Sequence, residues 1–143
     1  MIFYTNMVAD MFHYGHSEYL RKIYELKKDE DKLYVGIHND ETVQSYKRLP
    51  VLTMDERIKV ISSCKYIDKI IPDAPLSITK EYIDLYKIDQ IFIPDNRTVE
   101  EIKVMVKIPY ELGIVKQIPY TSEISTTYII KRIKNRLDLY PKN

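Results

Sequence analysis

The chain has 143 residues, 45% of them apolar and 30% charged, with a formal net charge of +1. That is ordinary globular composition for one domain, residues 1–143, with a buried core, and it argues against disorder. The near-neutral balance gives no reason to expect a nucleic acid or an anionic membrane as partner, while leaving room for a local cation cluster that holds a small anion.

Strands and helices alternate along the sequence. Ile2, Phe3 and Tyr4 form a β-type run, and a helix is expected from about Ser17 to Lys28, with Leu20, Ile23 and Leu26 on one side. Leu33 to Ile37 reads as a buried central strand, closed by His38-Asn39-Asp40. A polar loop with Lys47, Arg48 and Pro50 follows. Thr53 and Glu56 have capping-box spacing and start a helix through Ile58, Val60 and Ile61. Cys64 is the only cysteine, which rules out a disulfide framework or thiolate metal cluster; on that apolar helix it reads as a buried, inert thiol.

Ile67 to Ile71 is the third expected strand. A helix follows from Thr79 or Lys80, and Gln90 to Ile93 is the fourth strand, stopped by Pro94 and Asp95. Thr98 and Glu101 repeat the capping-box spacing before a helix that Pro109 kinks or ends, and Gly113 suits a helix terminus. Ile114 to Ile118 is the last strand, and a helix runs from Ser125 or Thr126 to about Leu137, before a frayed tail at Pro141 to Asn143. Five strands with helices between them give a doubly wound α/β fold, a parallel sheet covered on both faces. No apolar stretch reaches membrane-spanning length and no leader pattern opens the chain, so a cytoplasmic protein without membrane insertion is expected.

Four polar clusters fall where such a fold binds ligands, at or beyond the carboxyl ends of strands: Asp10 with His13 and His16, Lys47 with Arg48, Asp95 with Asn96, and Tyr120 to Thr127. Taken singly, Lys47 and Arg48 suit a solvated loop, Asp95 a turn, and Ser125 to Thr127 a helix cap. Two histidines around Gly15 at a strand-to-helix junction point instead to a phosphate site, since N–H groups at a helix start favour an anion. A zinc site does not fit: the zinc helix motif needs histidines at i and i+4, and only the distant His38 is left as a third ligand. No metal ligands are assigned.

His13-Tyr14-Gly15-His16 resembles the His-x-Gly-His signature of the nucleotidyltransferase superfamily, and Ile124-Ser125-Thr126-Thr127 resembles its second signature. Val35 to Glu41, Lys47 with Pro50-Val51, Glu56-Arg57, Cys64 to Asp68 and Ala74-Pro75 follow in order. Together they resemble the catalytic domain of ethanolamine-phosphate and choline-phosphate cytidylyltransferases, with glycerol-3-phosphate enzymes as near relatives. The resemblance covers nearly the whole chain. It implies transfer of a cytidylyl group from CTP to a phosphorylated alcohol with release of pyrophosphate, with Mg²⁺ as cofactor, in a homodimer joined through Lys65 to Ile71. It implies His13, His16 and Lys47 as catalytic residues. It places the nucleotide against Val8, Ala9, Asp10, Gly15, Asp95, Thr121, Ile124, Ser125, Thr126 and Thr127, and the alcohol near Asp95 and Leu76.

Four positions depart from the family pattern. Met7 stands where the family has glycine, and Leu76 where it has an aromatic after Ala-Pro, which weakens any cation–π box for choline. Tyr120 replaces an arginine that contacts nucleotide, and Glu123 puts a carboxylate where the family has glycine; Arg97 and Lys116 are the cations that could compensate. Two functions are therefore carried forward: a cytidylyltransferase acting on an ethanolamine-phosphate-like acceptor, and a nucleotide-binding module of the same fold with impaired catalysis.

Overall fold

A computed structural model describes residues 1–140, so the tail expected to fray, Pro141 to Asn143, lies outside the described residues. The strands are β1 (Ile2–Met7), β2 (Lys32–Ile37), β3 (Lys69–Ile71), β4 (Gln90–Pro94) and β5 (Val115–Ile118). They form one parallel sheet in the order β3-β2-β1-β4-β5. The order reverses between β1 and β4, and the two diverging connections leave a crevice at their carboxyl ends.

Period-two alternation along the strands builds a core on each face. Phe3, Leu33, Val35 and Phe92 pack with Leu20 and Ile23 of α1 (Tyr14–Glu25) and Ile61 of α3 (Met54–Ile61). Tyr4, Ile91 and Ile93 turn to the other face. There they meet Ile83 of α4 (Lys80–Tyr86) and the end of α5 (Val99–Met105), where Ile102 and Met105 pack beside Val106. Gly36 lies against Tyr4: a Cβ there would come within 2.1 Å of the Tyr4 hydroxyl.

Several parts of the chain differ from expectation. The segment after β2 is not simply a loop, because Asn39 caps a short helix, α2 (Asp40–Gln44), by accepting the Thr42 N–H. Cys64 lies beyond the end of α3, in a turn, and is only partly buried against the core. Pro109 sits in the first turn of its own short helix, α6 (Lys107–Glu111), and the break comes at Val106. Without an N–H at Pro109, the Met105 carbonyl is free of that partner and accepts the Ile78 N–H instead. The last helix, α7 (Thr126–Lys134), stops short of Leu137, and a 3₁₀ turn spans Leu137–Leu139. Among the described residues, no helix is long and apolar enough to cross a membrane.

Candidate active site

A cleft of about 250 Å³ opens at the carboxyl ends of β1 and β4. The connection from β1 to α1 contributes Val8, Ala9, Asp10 and His13, and the first turn of α1 contributes Gly15 and His16; the loop after α2 contributes Lys47; the approach to α7 contributes Thr121, Ile124 and Ser125, and its first turn Thr126 and Thr127. Met7, Asn96, Arg97 and Tyr120 complete much of the rim.

Two expected site residues are not in this lining. Leu76 follows β3, the edge strand two places from the crevice, and its loop is pinned at Ala74, whose N–H donates to Ile37 O and whose carbonyl meets His38 Nδ1 at 3.0 Å. Asp95 is exposed, and its carboxylate accepts the Tyr120 N–H at 2.9 Å, fixing the approach to α7. Glu123 is also exposed and outside the lining, so the carboxylate expected to repel nucleotide does not face the cleft.

The loop after β1 is held from several sides. Ala9 and Met11 both adopt positive φ, +58° and +47°, a left-handed conformation that costs a side-chain-bearing residue about 1–2 kcal/mol. Between them Asp10, 4% exposed, accepts the Val51 and Leu52 N–H groups at 2.8 and 2.9 Å. It thus ties this loop to the chain that bears Lys47, and its carboxylate is spent on structure rather than left for ligand. Fully buried Arg57 donates to Val8 O at 2.6 Å, to Leu52 O at 3.2 Å and to Asp40 at 2.7 Å. Asn6 and Tyr19 also face the cleft and were not expected there. Tyr19 lies within 2.9 Å of the Thr5 hydroxyl, and burial pushes its phenol pKa upward.

Hydrogen bonds set the state of both histidines. The Gly15 N–H donates to His13 Nδ1 at 3.1 Å, and the His13 N–H donates to His16 Nδ1 at 3.2 Å, a capping box made of imidazoles. An Nδ1 that accepts carries no proton, so each neutral ring bears its proton on Nε2. His13 Nε2 then donates to Thr126 Oγ1 at 3.4 Å, and that hydroxyl donates to the Asp10 carbonyl at 3.1 Å. The rings stack with centroids 3.9 Å apart, and Phe12 stacks on His16. Burial is the main cause that lowers the His16 pKa to about 3, with His13 and Lys47 adding to it; burial lowers His13 too. Both are neutral donors at physiological pH.

Gly15 makes this packing possible. A Cβ there would lie 2.9 Å from the His13 ring and 2.9 Å from Ile124, so a side chain would push α1 and the segment before α7 apart. Ser125 caps α7 by accepting the Tyr128 N–H at 3.0 Å. Arg48 reaches the same helix start, donating to Thr127 Oγ1 at 3.3 Å, and its buried Nε has no protein partner among the described residues. Lys47 is held below the usual lysine range, first by desolvation at the cleft and then by Arg48 and Arg97.

The chemistry this allows is anion binding without proton transfer: neutral N–H donors, a helix N-terminus and separate cations converge on one crevice. A resident divalent cation fits poorly. Asp10 is already satisfied by backbone, and the described residues hold no cluster of three His, Cys, Asp or Glu side chains.

A family model described as cytidylyltransferase-like matches residues 6–132. The chain is 36% identical over 148 aligned positions to an ethanolamine-phosphate cytidylyltransferase of Dictyostelium discoideum, covering 99% of this chain and 40% of that protein. It is 34% identical to choline-phosphate cytidylyltransferase 2 of Arabidopsis thaliana, covering 96% of this chain and 46% of that one. The chain thus spans less than half the length of these relatives. A crystal structure of a lipopolysaccharide core biosynthesis protein from Thermoplasma volcanium shares the fold, with a TM-score of 0.65, 24% identity, and coverage of 87% of this chain and 98% of that one.

Proposed function

The chain belongs to the cytidylyltransferase-like family, and from that premise we propose that it transfers CMP from CTP to a phosphorylated alcohol of the ethanolamine-phosphate kind. An oxygen of the acceptor phosphate attacks the α-phosphorus of CTP, the bridge to the β-phosphate breaks, and pyrophosphate leaves with the electron pair. The acceptor is already an anionic nucleophile, so the protein needs no general base, only alignment and charge stabilisation.

The observation that carries this reading is the hydrogen-bonded pair His13 and His16. His16 leaves an Nε2–H donor for a phosphate oxygen, while His13 links the same site to Thr126 at the start of α7. That helix start and Ser125 to Thr127 suit the triphosphate, and Lys47 contributes a mobile point charge between reacting groups. Mg²⁺ belongs to this proposal as the companion of the triphosphate, consistent with its preference for phosphate oxygens and water over an all-protein cage.

Pyrophosphate release from CTP and ethanolamine phosphate in the presence of Mg²⁺ tests the proposal. The wild-type chain releases it, and His16→Ala slows the reaction about 10²- to 10³-fold, as expected for removal of one transition-state donor. Binding of CTP without release from any phosphorylated alcohol would favour the nucleotide-binding module, the reading to which neutral Tyr120 on the rim lends weight. We also propose a homodimer joined through Lys65 to Ile71, where Ile67 and Ile70 are partly buried beside exposed lysines. A monomeric mass by analytical ultracentrifugation would rule it out.

A further inference from the structure

Arg97 lies in the connection from β4 to α5 and lines the cleft together with Lys47, close enough for its charge to lower the Lys47 pKa. It is partly buried, yet among the described residues no carboxylate lies within ion-pair distance of it and no hydrogen bond engages it. A guanidinium has five N–H donors and a permanent charge, so one drawn partly out of water without an anion is poised for a ligand. Nearby carboxylates are committed elsewhere: Asp10 to the Val51 and Leu52 N–H groups, Asp95 to that of Tyr120, Glu101 to that of Thr98.

The cleft lining therefore carries two unlike sets of groups. One is the α7 N-terminus, the linked imidazole of His13 and hydroxyls, with Arg48 held against Thr127; these suit the row of oxygens of a triphosphate. The other is two cations, Lys47 and Arg97, neither of them in an ion pair among the described residues.

We propose that Arg97 and Lys47 together form the clamp for the phosphate group of the acceptor. The planar fork of Arg97 takes two oxygens of a phosphate monoester, which leaves the third directed at the α-phosphorus of CTP, and Lys47 shields the repulsion between the two anions. This assignment rests on reading the cleft as the site of cytidylyl transfer. It gives a role to Arg97, one of the two cations that could compensate for Tyr120. The other, Lys116, is exposed on β5 outside the cleft.

The test is titration of ethanolamine phosphate and of glycerol 3-phosphate into the wild-type chain, Arg97→Met, Arg97→Lys and Lys116→Met, alongside acceptor and CTP kinetics. Arg97→Met weakens acceptor binding and raises acceptor KM about 10- to 100-fold, the size expected for a charged hydrogen-bonding pair, with little change for CTP. Arg97→Lys falls between, because it keeps the charge and loses the fork, and Lys116→Met matches wild type. The proposal is overturned if the wild-type chain binds neither phosphate ester, if Arg97→Met binds them as well as wild type does, or if Arg97→Met loses CTP affinity instead. Arg97-dependent ester binding with no pyrophosphate release would leave Arg97 as a phosphate-ester ligand and sink the transferase reading on which its role as acceptor clamp depends.

Discussion

The two ends of the sheet solve opposite problems with the same side-chain chemistry. Where the strands begin, carboxylates close the structure. Asp31 takes the Met1 ammonium at 2.8 Å and the Lys28 N–H at 2.9 Å, Asp89 takes the Ile2 N–H at 2.7 Å, and Asp68 takes the Leu33 N–H at 2.8 Å. Where the strands end, the one carboxylate in the cleft wall, Asp10, is likewise used to join backbone segments. The donors there exceed their protein acceptors: the Nε2–H of His16, Lys47 and Arg97 are left facing the cleft. Function at this end is the remainder after structure has been satisfied, and that remainder is cationic or donating, suited to phosphate.

The sharpest way to break the contrast is to remove the buried donor at the ligand end. Arg57→Met leaves Val8 O, Leu52 O and Asp40 without their partner and costs about 3 kcal/mol, read by urea unfolding. Because Val8 lines the cleft, CTP affinity falls with it. Next in size, Gly15→Ala sets a methyl against His13 and Ile124 and costs about 1–3 kcal/mol through overpacking. It lowers kcat more than a comparable loss of stability at the far end would.

Acidification sharpens the contrast differently. Both histidines bind their protons more weakly folded than unfolded, so the stability they contribute is present above pH 6.5, the ordinary histidine value, and declines as pH falls towards about 3. Protonation also consumes the Nδ1 acceptors that cap α1. Pyrophosphate release by the folded protein should be insensitive to histidine titration at and somewhat below pH 6.5, while the amide protection of Gly15 declines with stability as pH falls from there towards about 3. The smallest effect belongs to the closed end: Asp89→Asn costs less than about 1 kcal/mol and leaves KM for both substrates unchanged. A change in either KM would mean that the two ends are coupled.

Much of the fold was legible because most strands contain a short apolar run and several helices open with capping spacing. Thr53 with Glu56 and Thr98 with Glu101 form the capping boxes that their spacing implies. The helix after β2 was hidden by its five residues, too few to show a period, although Asn39 followed by Asp40 and Glu41 is a helix-start signal. At the site, residue types on one connection were readable as neighbours, as with His13, Gly15 and His16. What a side chain does once there was not. Asp10 and Asp95 are acidic and adjacent to the cleft, but only three-dimensional register shows that backbone N–H groups farther along the chain occupy them. Leu76 lies outside this cleft's lining for a topological reason, since linear order does not say that β3 is an edge strand.

Ala9 and Met11 carry one more consequence, for how this chain could be hardened. Their left-handed backbone is a local debt of stability that aims Asp10 at the loop bearing Lys47. Ala9 is sealed in the core, but Met11 is only partly covered, so glycine or asparagine there relaxes the backbone at little loss of packing. A small gain in thermal stability, under about 1 kcal/mol, is therefore expected from a single substitution at Met11, one that alters none of the side chains assigned to ligand.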